Sequence, residues 1–167
     1  ARRPLVVSGR GARGAGAALA RFLDASGALY LDTQESRGLL PAGHPAAVGA
    51  VRAAAIAGAD LVVTLGRKLD YQLGFGSPAV FPGARFMRIA GSAGELVDNR
   101  RGTPEILAAV DLALDALACG LGGDKGEKDG AWAEELRGKH RARITRGEAA
   151  PAPPRGGDGK IHPMAIF

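Results

Sequence analysis

Gly9, Gly11 and Gly14 stand at G-x-G-x-x-G spacing in "VVSGRGARGAGAALARF", directly after an apolar run. The chemistry of that spacing is phosphate binding. The first glycine permits a tight turn, the second lets backbone N–H groups approach a pyrophosphate, and the third allows close helix packing. A helix N-terminus beside them favours negative charge. Asp32 stands where a carboxylate would take a ribose hydroxyl. These four residues together suit a free-standing NAD-binding domain of an oxidoreductase. A glycine turn is also common to doubly wound folds generally, and a chain with 26 glycines offers chance matches.

The other reactive side chains make weaker cases. Ser8 lacks the G-x-S-x-G setting of a hydrolase nucleophile and suits a turn. His44 and His162 each precede a proline, and His140 lies between Lys139 and Arg141, so none has a carboxylate or Cys119 at ligand spacing. No metal site is expected. The run "RGKHRARITR" (137–146) could touch phosphate, although a solvated helix face or interdomain contact is the plainer account.

The glycine turn needs a strand before it and a helix after it. "PLVVSG" (4–9) is a buried strand, and "ARGAGAALARFLDASG" a helix with Leu19, Phe22 and Leu23 on one face. "ALYLD" (28–32), "DLVVTLG" (60–66), "RFMRIAG" (85–91) and "EILA" (105–108) read as further strands. Helices are expected over the alanine-rich 46–59 and over "AVDLALDALACG", with Leu112, Leu114 and Leu117 on the latter. Runs this apolar, alternating with helices, predict a doubly wound, Rossmann-like parallel sheet of about six strands with helices on both faces.

Composition narrows the function classes. Hydrophobic residues make up 46% but aromatics only 5%, so the core is aliphatic. The net charge of +5 comes from basic residues spread along the chain without interleaved aromatics, which argues against nucleic-acid binding. The lone Cys119 excludes an intrachain disulfide and suits a reducing cytoplasm. No apolar run approaches the roughly 18 residues of a membrane span.

In order along the chain, "RPLVVSGRGAR", "SRGLLPAGHP", "ADLVVTLGRKLD" and "GARFMRIAGSAGELVDNRR" resemble the central domain of thiamine-diphosphate-dependent enzymes of the acetolactate synthase, pyruvate oxidase and decarboxylase group. The resemblance covers about Arg3 to Leu117 and implies a DHS-like NAD/FAD-binding fold. In flavin-containing members this domain holds FAD, or in some relatives ADP. Carried over by motif, Gly9, Arg10 and Gly11 would face a pyrophosphate, Thr33 and Gln34 would lie in the loop after the second strand, and Gly66, Lys68 and Asp70 in the loop after the third. Where the family commonly has Asp-x-Asp-Pro, this chain has "AGSA", with Ala90 and Ser92 in place of the acids, and its flavin loop is shortened. A lost acceptor forfeits about 0.5–1.5 kcal/mol per hydrogen bond, so a degenerate FAD or ADP site is expected.

The resemblance also implies thiamine diphosphate and magnesium in the parent enzyme, bound elsewhere than in this piece, which lacks the catalytic Glu of the pyrimidine-binding domain. "GGDGKIHP" (156–163) imitates the family's magnesium motif, but a proline-rich linker precedes it and no distant Asn follows. The expected organisation is a central domain over 1–120, a flexible hinge over 121–131, a helix over 132–145, a linker over 146–159 and the start of a next domain over 160–167. The partners implied are the N- and C-terminal domains of the same parent chain, in a cytoplasmic homo-oligomer without nucleic acid or membrane. The piece by itself is expected to be catalytically silent.

Overall fold

A computed structural model of the chain describes residues 1–41, 43–122 and 126–149, with the backbone alone at Gln34. Five strands form one parallel sheet: β1 (Pro4–Ser8), β2 (Leu29–Leu31), β3 (Leu61–Leu65), β4 (Arg85–Ala90) and β5 (Glu105–Leu107), in the order β2-β1-β3-β4-β5. Val6 pairs with Tyr30 on one side and Val63 on the other. Buried on both faces, β1 has no exposed residue, as its unbroken apolar run predicts.

Two layers of helix cover the sheet. α1 (Gly16–Ser26) and α3 (Val110–Leu121) share a core with Val6, Leu65 and Ile89. α2 (Arg52–Gly58) and α4 (Gly130–Glu148) cover the opposite face, where Ile56 and Leu136 meet Leu5, Val7, Val62 and Phe86. Alternate residues of β1 therefore serve opposite cores, as a pleated strand requires. No helix among the described residues is long and apolar enough to cross a membrane.

Several sequence expectations need correction. Five strands form among the described residues, against about six. The nearest approach to another is a single bridge between Tyr30 and Ala47. That bridge also explains why the helix expected over 46–59 shrinks to Arg52–Gly58. The Ala46 carbonyl accepts from the Tyr30 amide at 2.7 Å, and the Val48 amide donates to the Tyr30 carbonyl at 3.0 Å. Groups paired with the edge of β2 cannot also serve a helical ladder.

The first helix starts later than expected, at Gly16, after a single 3₁₀ turn over Arg10–Ala12. Gly14 has φ +89° with nothing within 4 Å of a built Cβ, so its part is backbone conformation, not the close packing assigned to it. The close approach falls to Gly16, where a Cβ would lie 2.5 Å from the Leu39 carbonyl oxygen. Leu112, placed with Leu114 and Leu117 on the face of α3, is 68% exposed, whereas Leu114 is buried.

The helix expected over 132–145 runs from Gly130 to Glu148, taking residues from both the expected hinge and the expected linker. The hinge also loses Leu121 to α3. α4 is not detached: Trp132, Ala133 and Leu136 pack on the α2 core. The Asp129 side chain caps it by accepting from the Trp132 amide at 3.0 Å. "GGDGKIHP", His162 and the expected next domain lie outside the described residues.

Candidate functional site

In the strand order β2-β1-β3-β4-β5 the connections from β1 diverge, so the crevice at the C-terminal ends of β1 and β3 is where a doubly wound sheet takes a ligand. Here that crevice is closed by backbone. The Gly9 amide donates to the Leu65 carbonyl at 2.9 Å and the Gly11 amide to the Gly66 carbonyl at 3.0 Å. Gly66 adopts φ +51°, and a Cβ on it would lie 2.3 Å from Gly11 Cα. A Cβ on Gly9 would meet the Gly66 carbonyl oxygen at 2.6 Å. The three glycines thus let two turns touch, and neither the Gly9 nor the Gly11 amide is left to face a pyrophosphate.

The remaining carried-over residues scatter around this contact. The Glu95 carboxylate lies over Gly11, 2.7 Å from where a Cβ would stand, and makes no hydrogen bond among the described residues. A phosphate placed on the turn would meet that charge. Arg10 points outward, 3.4 Å from Glu35 in an exposed pair worth little. Gln34 lies in a single 3₁₀ turn over Gln34–Ser36, and Lys68 is exposed, with no partner among the described residues.

Thr33 and Asp70 have structural partners. The Thr33 hydroxyl donates to the Ser8 carbonyl at 2.6 Å. Around it runs a buried hydroxyl chain: Tyr30 and Ser8 meet at 2.6 Å, and Ser8 donates to Ser36 at 2.8 Å. Ser36 Oγ in turn lies 2.9 Å from the Thr33 carbonyl. This chain fixes the loop after β2 to the end of β1, and Ser8, wholly buried, has no access to a substrate. Burial pushes the Tyr30 phenol up, and Asp32 adds to it, against the hydrogen bonds of Ser8 and Ser36.

Asp70 accepts from Arg67 at 2.7 and 3.0 Å and from the Gln72 amide at 3.0 Å, capping the turn over Tyr71–Gly76. Partial burial alone would raise its pKa. The Arg67 hydrogen bonds and charge, with the amides of Gln72 and Leu73, outweigh that and hold the carboxyl below its usual value.

Asp32, Thr33, Arg37, Arg52 and Gln72 line an open polar cleft of about 260 Å³ beside the closed turn. Burial, then the nearby Arg67, lowers the Arg52 pKa against the pull of Asp32 and Asp70. Excess positive charge collects there, in a space below the ~300 Å³ at which small-molecule sites begin. Among the described residues no three His, Cys, Asp or Glu side chains gather as metal ligands.

The sequence reading missed Arg88, the largest wholly buried side chain. From the middle of β4 it donates to the Leu96 carbonyl at 2.8 Å and the Glu95 carbonyl at 2.7 Å, and it pairs with Asp98. Asp98 also accepts from the Leu69 amide at 2.8 Å. Arg88 therefore holds the loop that carries Glu95 over the crevice. The signal was present: an arginine inside an apolar parallel strand has to find a buried partner.

Comparison with known proteins gives this architecture a family. The model for the "Thiamine pyrophosphate enzyme, central domain" matches residues 1–117. The chain is 32% identical over 120 residues to mouse 2-hydroxyacyl-CoA lyase 1, covering 70% of this chain and 21% of that enzyme. It is 31% identical over 139 residues to the acetolactate synthase large subunit of Mycobacterium tuberculosis, covering 81% and 24%. An enzyme from Mycobacterium smegmatis, described as thiamin diphosphate-dependent, shares the fold with a TM-score of 0.54 at 22% identity, over 70% of this chain and 24% of that one. The chain spans about a fifth to a quarter of the length of these relatives and belongs to the family of thiamine pyrophosphate enzyme central domains.

Proposed function

We propose that this central domain is the non-catalytic scaffold of an enzyme that makes or breaks a carbon–carbon bond beside a carbonyl, and that its crevice no longer holds FAD or ADP. The observation that carries the second part is the pairing of the Gly9 and Gly11 amides with the Leu65 and Gly66 carbonyls. Those donors would have to be freed, and the Glu95 carboxylate displaced, before a diphosphate could lie on the turn. A nucleotide diphosphate does not fit the residues of this turn. The same pairing counts against a dinucleotide-binding oxidoreductase that uses Gly9, Gly11, Gly14 and Asp32.

Thiamine diphosphate, when bound by such an enzyme, supplies an electron sink for a carbanion. This chain contributes rigidity to that chemistry: two aliphatic cores, a hydroxyl chain and the Arg88 anchor hold a sheet against which the N- and C-terminal domains of the parent chain pack, within a cytoplasmic homo-oligomer. The substrate class on this reading is a 2-oxo acid, or a 2-hydroxyacyl thioester such as the name of the mouse lyase gives for that enzyme.

Titration and turnover test it. Purified chain should be colourless, give no heat with FAD or NADH, show no ADP binding that Gly11→Val removes, and release no product from pyruvate with thiamine diphosphate and magnesium. Stoichiometric flavin absorbance, or micromolar ADP binding lost in Gly11→Val, would overturn the empty crevice. Turnover by the chain alone would overturn the scaffold role.

A further inference from the structure

α4 extends past the domain that supports it. Its first turns are anchored: Trp132 lies against Gly58, Leu136 is buried, Arg137 Nε donates to the Pro45 carbonyl at 2.9 Å, and the Ala50 amide donates to His140 Nδ1 at 3.2 Å. From Arg141 to Ala149 every residue is exposed. The overhanging half and the loop 43–47 enclose a groove of about 570 Å³. That volume falls within the range of small-molecule sites.

Donors outnumber acids in the groove: Arg137, His140 and Arg141 line it, with the Glu148 carboxylate at the end of the helix as the one acidic side chain among its lining residues. Among the described residues Arg141 has no hydrogen-bond or ion-pair partner for its side chain. Arg137 uses Nε on Pro45 and Nη1 on Glu134, which leaves Nη2 uncommitted. Because His140 Nδ1 accepts the Ala50 amide, the neutral ring carries its proton on Nε2 and is a further donor. Positions 137, 140 and 141 share one helix face, so the three donors converge. Pro45 and Ile144, the latter 44% exposed, give the groove an apolar side. A smaller cavity of about 210 Å³ shares Gly43, Ala47 and His140 with it and reaches Asp32, whose carboxylate makes no hydrogen bond among the described residues.

We propose that this groove binds a phosphate monoester of a hydroxyl-bearing organic molecule. The phosphate takes the donors of Arg137, His140 and Arg141, where its charge of about −1.5 to −2 finds two guanidinium groups. The body lies on Pro45 and Ile144, and its hydroxyls donate to Asp32. The site is distinct from the closed glycine turn and shares Asp32 with the Arg37–Arg52 cleft.

Calorimetry on the full 167-residue chain tests this, with 5′-AMP and ribose 5-phosphate as probes and adenosine and inorganic phosphate as controls. Both monoesters should bind saturably, adenosine should not, and inorganic phosphate should bind at least about tenfold more weakly than either monoester. Arg141→Ala should weaken monoester binding about tenfold. Arg143→Ala, outside the groove, should leave it unchanged. His140→Ala also removes the Ala50 bond, so its melting temperature is recorded beside its affinity, while the exposed Arg141 decides the question free of folding effects. The proposal fails if neither monoester binds, if inorganic phosphate binds as tightly as they do, or if Arg143→Ala loses as much affinity as Arg141→Ala.

Discussion

Glycines with the same sequence signature do different work here, and substitution separates them. An alanine at Gly14 meets open space and only the strain of positive φ, about 1–2 kcal/mol. An alanine at Gly66 meets similar strain and in addition a backbone carbon at 2.3 Å, which cannot be relieved by turning a side chain. Gly66→Ala should therefore destabilise the fold well beyond Gly14→Ala in urea unfolding, and equal losses would show that the two turns do not touch. Arg88 offers a second test at this scale. Arg88→Met leaves the Glu95 and Leu96 carbonyls without this donor and Asp98 with the Leu69 amide but no counter-charge, and removing one partner of a buried pair costs about 3–5 kcal/mol. Arg88→Lys should rescue little, because one ammonium cannot reproduce the fork of a guanidinium. The motif spacing made Gly9 and Gly11 visible, but which atoms their amides meet was decided by β3, more than fifty residues away. No local pattern carries that information.

At the level of elements, legibility followed burial. The strands at Pro4–Ser8 and Leu61–Leu65 are nearly all apolar and were readable within a residue or two, because a strand buried on both faces has no alternative pattern. The segment 46–59 misled because alanine favours helix locally, while an unpaired edge of β2 claimed the backbone at Ala46 and Val48. α4 misled in extent: Leu136 is its only buried residue, so no apolar periodicity marks its ends. Its attachment rests on a few contacts, which makes it sensitive to one change. Leu136→Ala should cost about 2–4 kcal/mol if α4 unfolds together with the sheet. Hydrogen exchange should show α4 amides opening at the global free energy in the native chain and well below it in the variant. Unchanged protection would mean that α4 is held by its polar contacts, Arg137 to Pro45 and Ala50 to His140.

Across the whole molecule, β3 is the strand on which both turn contacts and both cores converge, and acidic residues fasten its two ends. Before it, Asp60 accepts from the Arg2 amide at 2.7 Å and the Arg3 amide at 3.0 Å, tying the start of the chain to the sheet. After it, Asp70 clasps Arg67 and caps the next turn. Desolvation would raise the Asp60 pKa, but the two amides, the terminal charge and Arg3 outweigh it and hold the carboxyl below its usual value. Asp70 is lowered in the same way by Arg67. A carboxyl whose folded pKa lies below its unfolded value stabilises the fold above the unfolded value and loses that contribution as pH falls through the folded one. Stability should therefore be level near neutrality and decline below about pH 4, where the unfolded chain takes up protons first. Asp60→Asn and Asp70→Asn should each lower the urea midpoint at pH 7 and flatten the acid decline, with additive effects, because the two sites sit at opposite ends of β3 and share no partner. An acid decline as steep in the double variant as in the native chain would place the responsible carboxylates elsewhere, and β3 would then not be the strand whose fastening sets the stability of the fold.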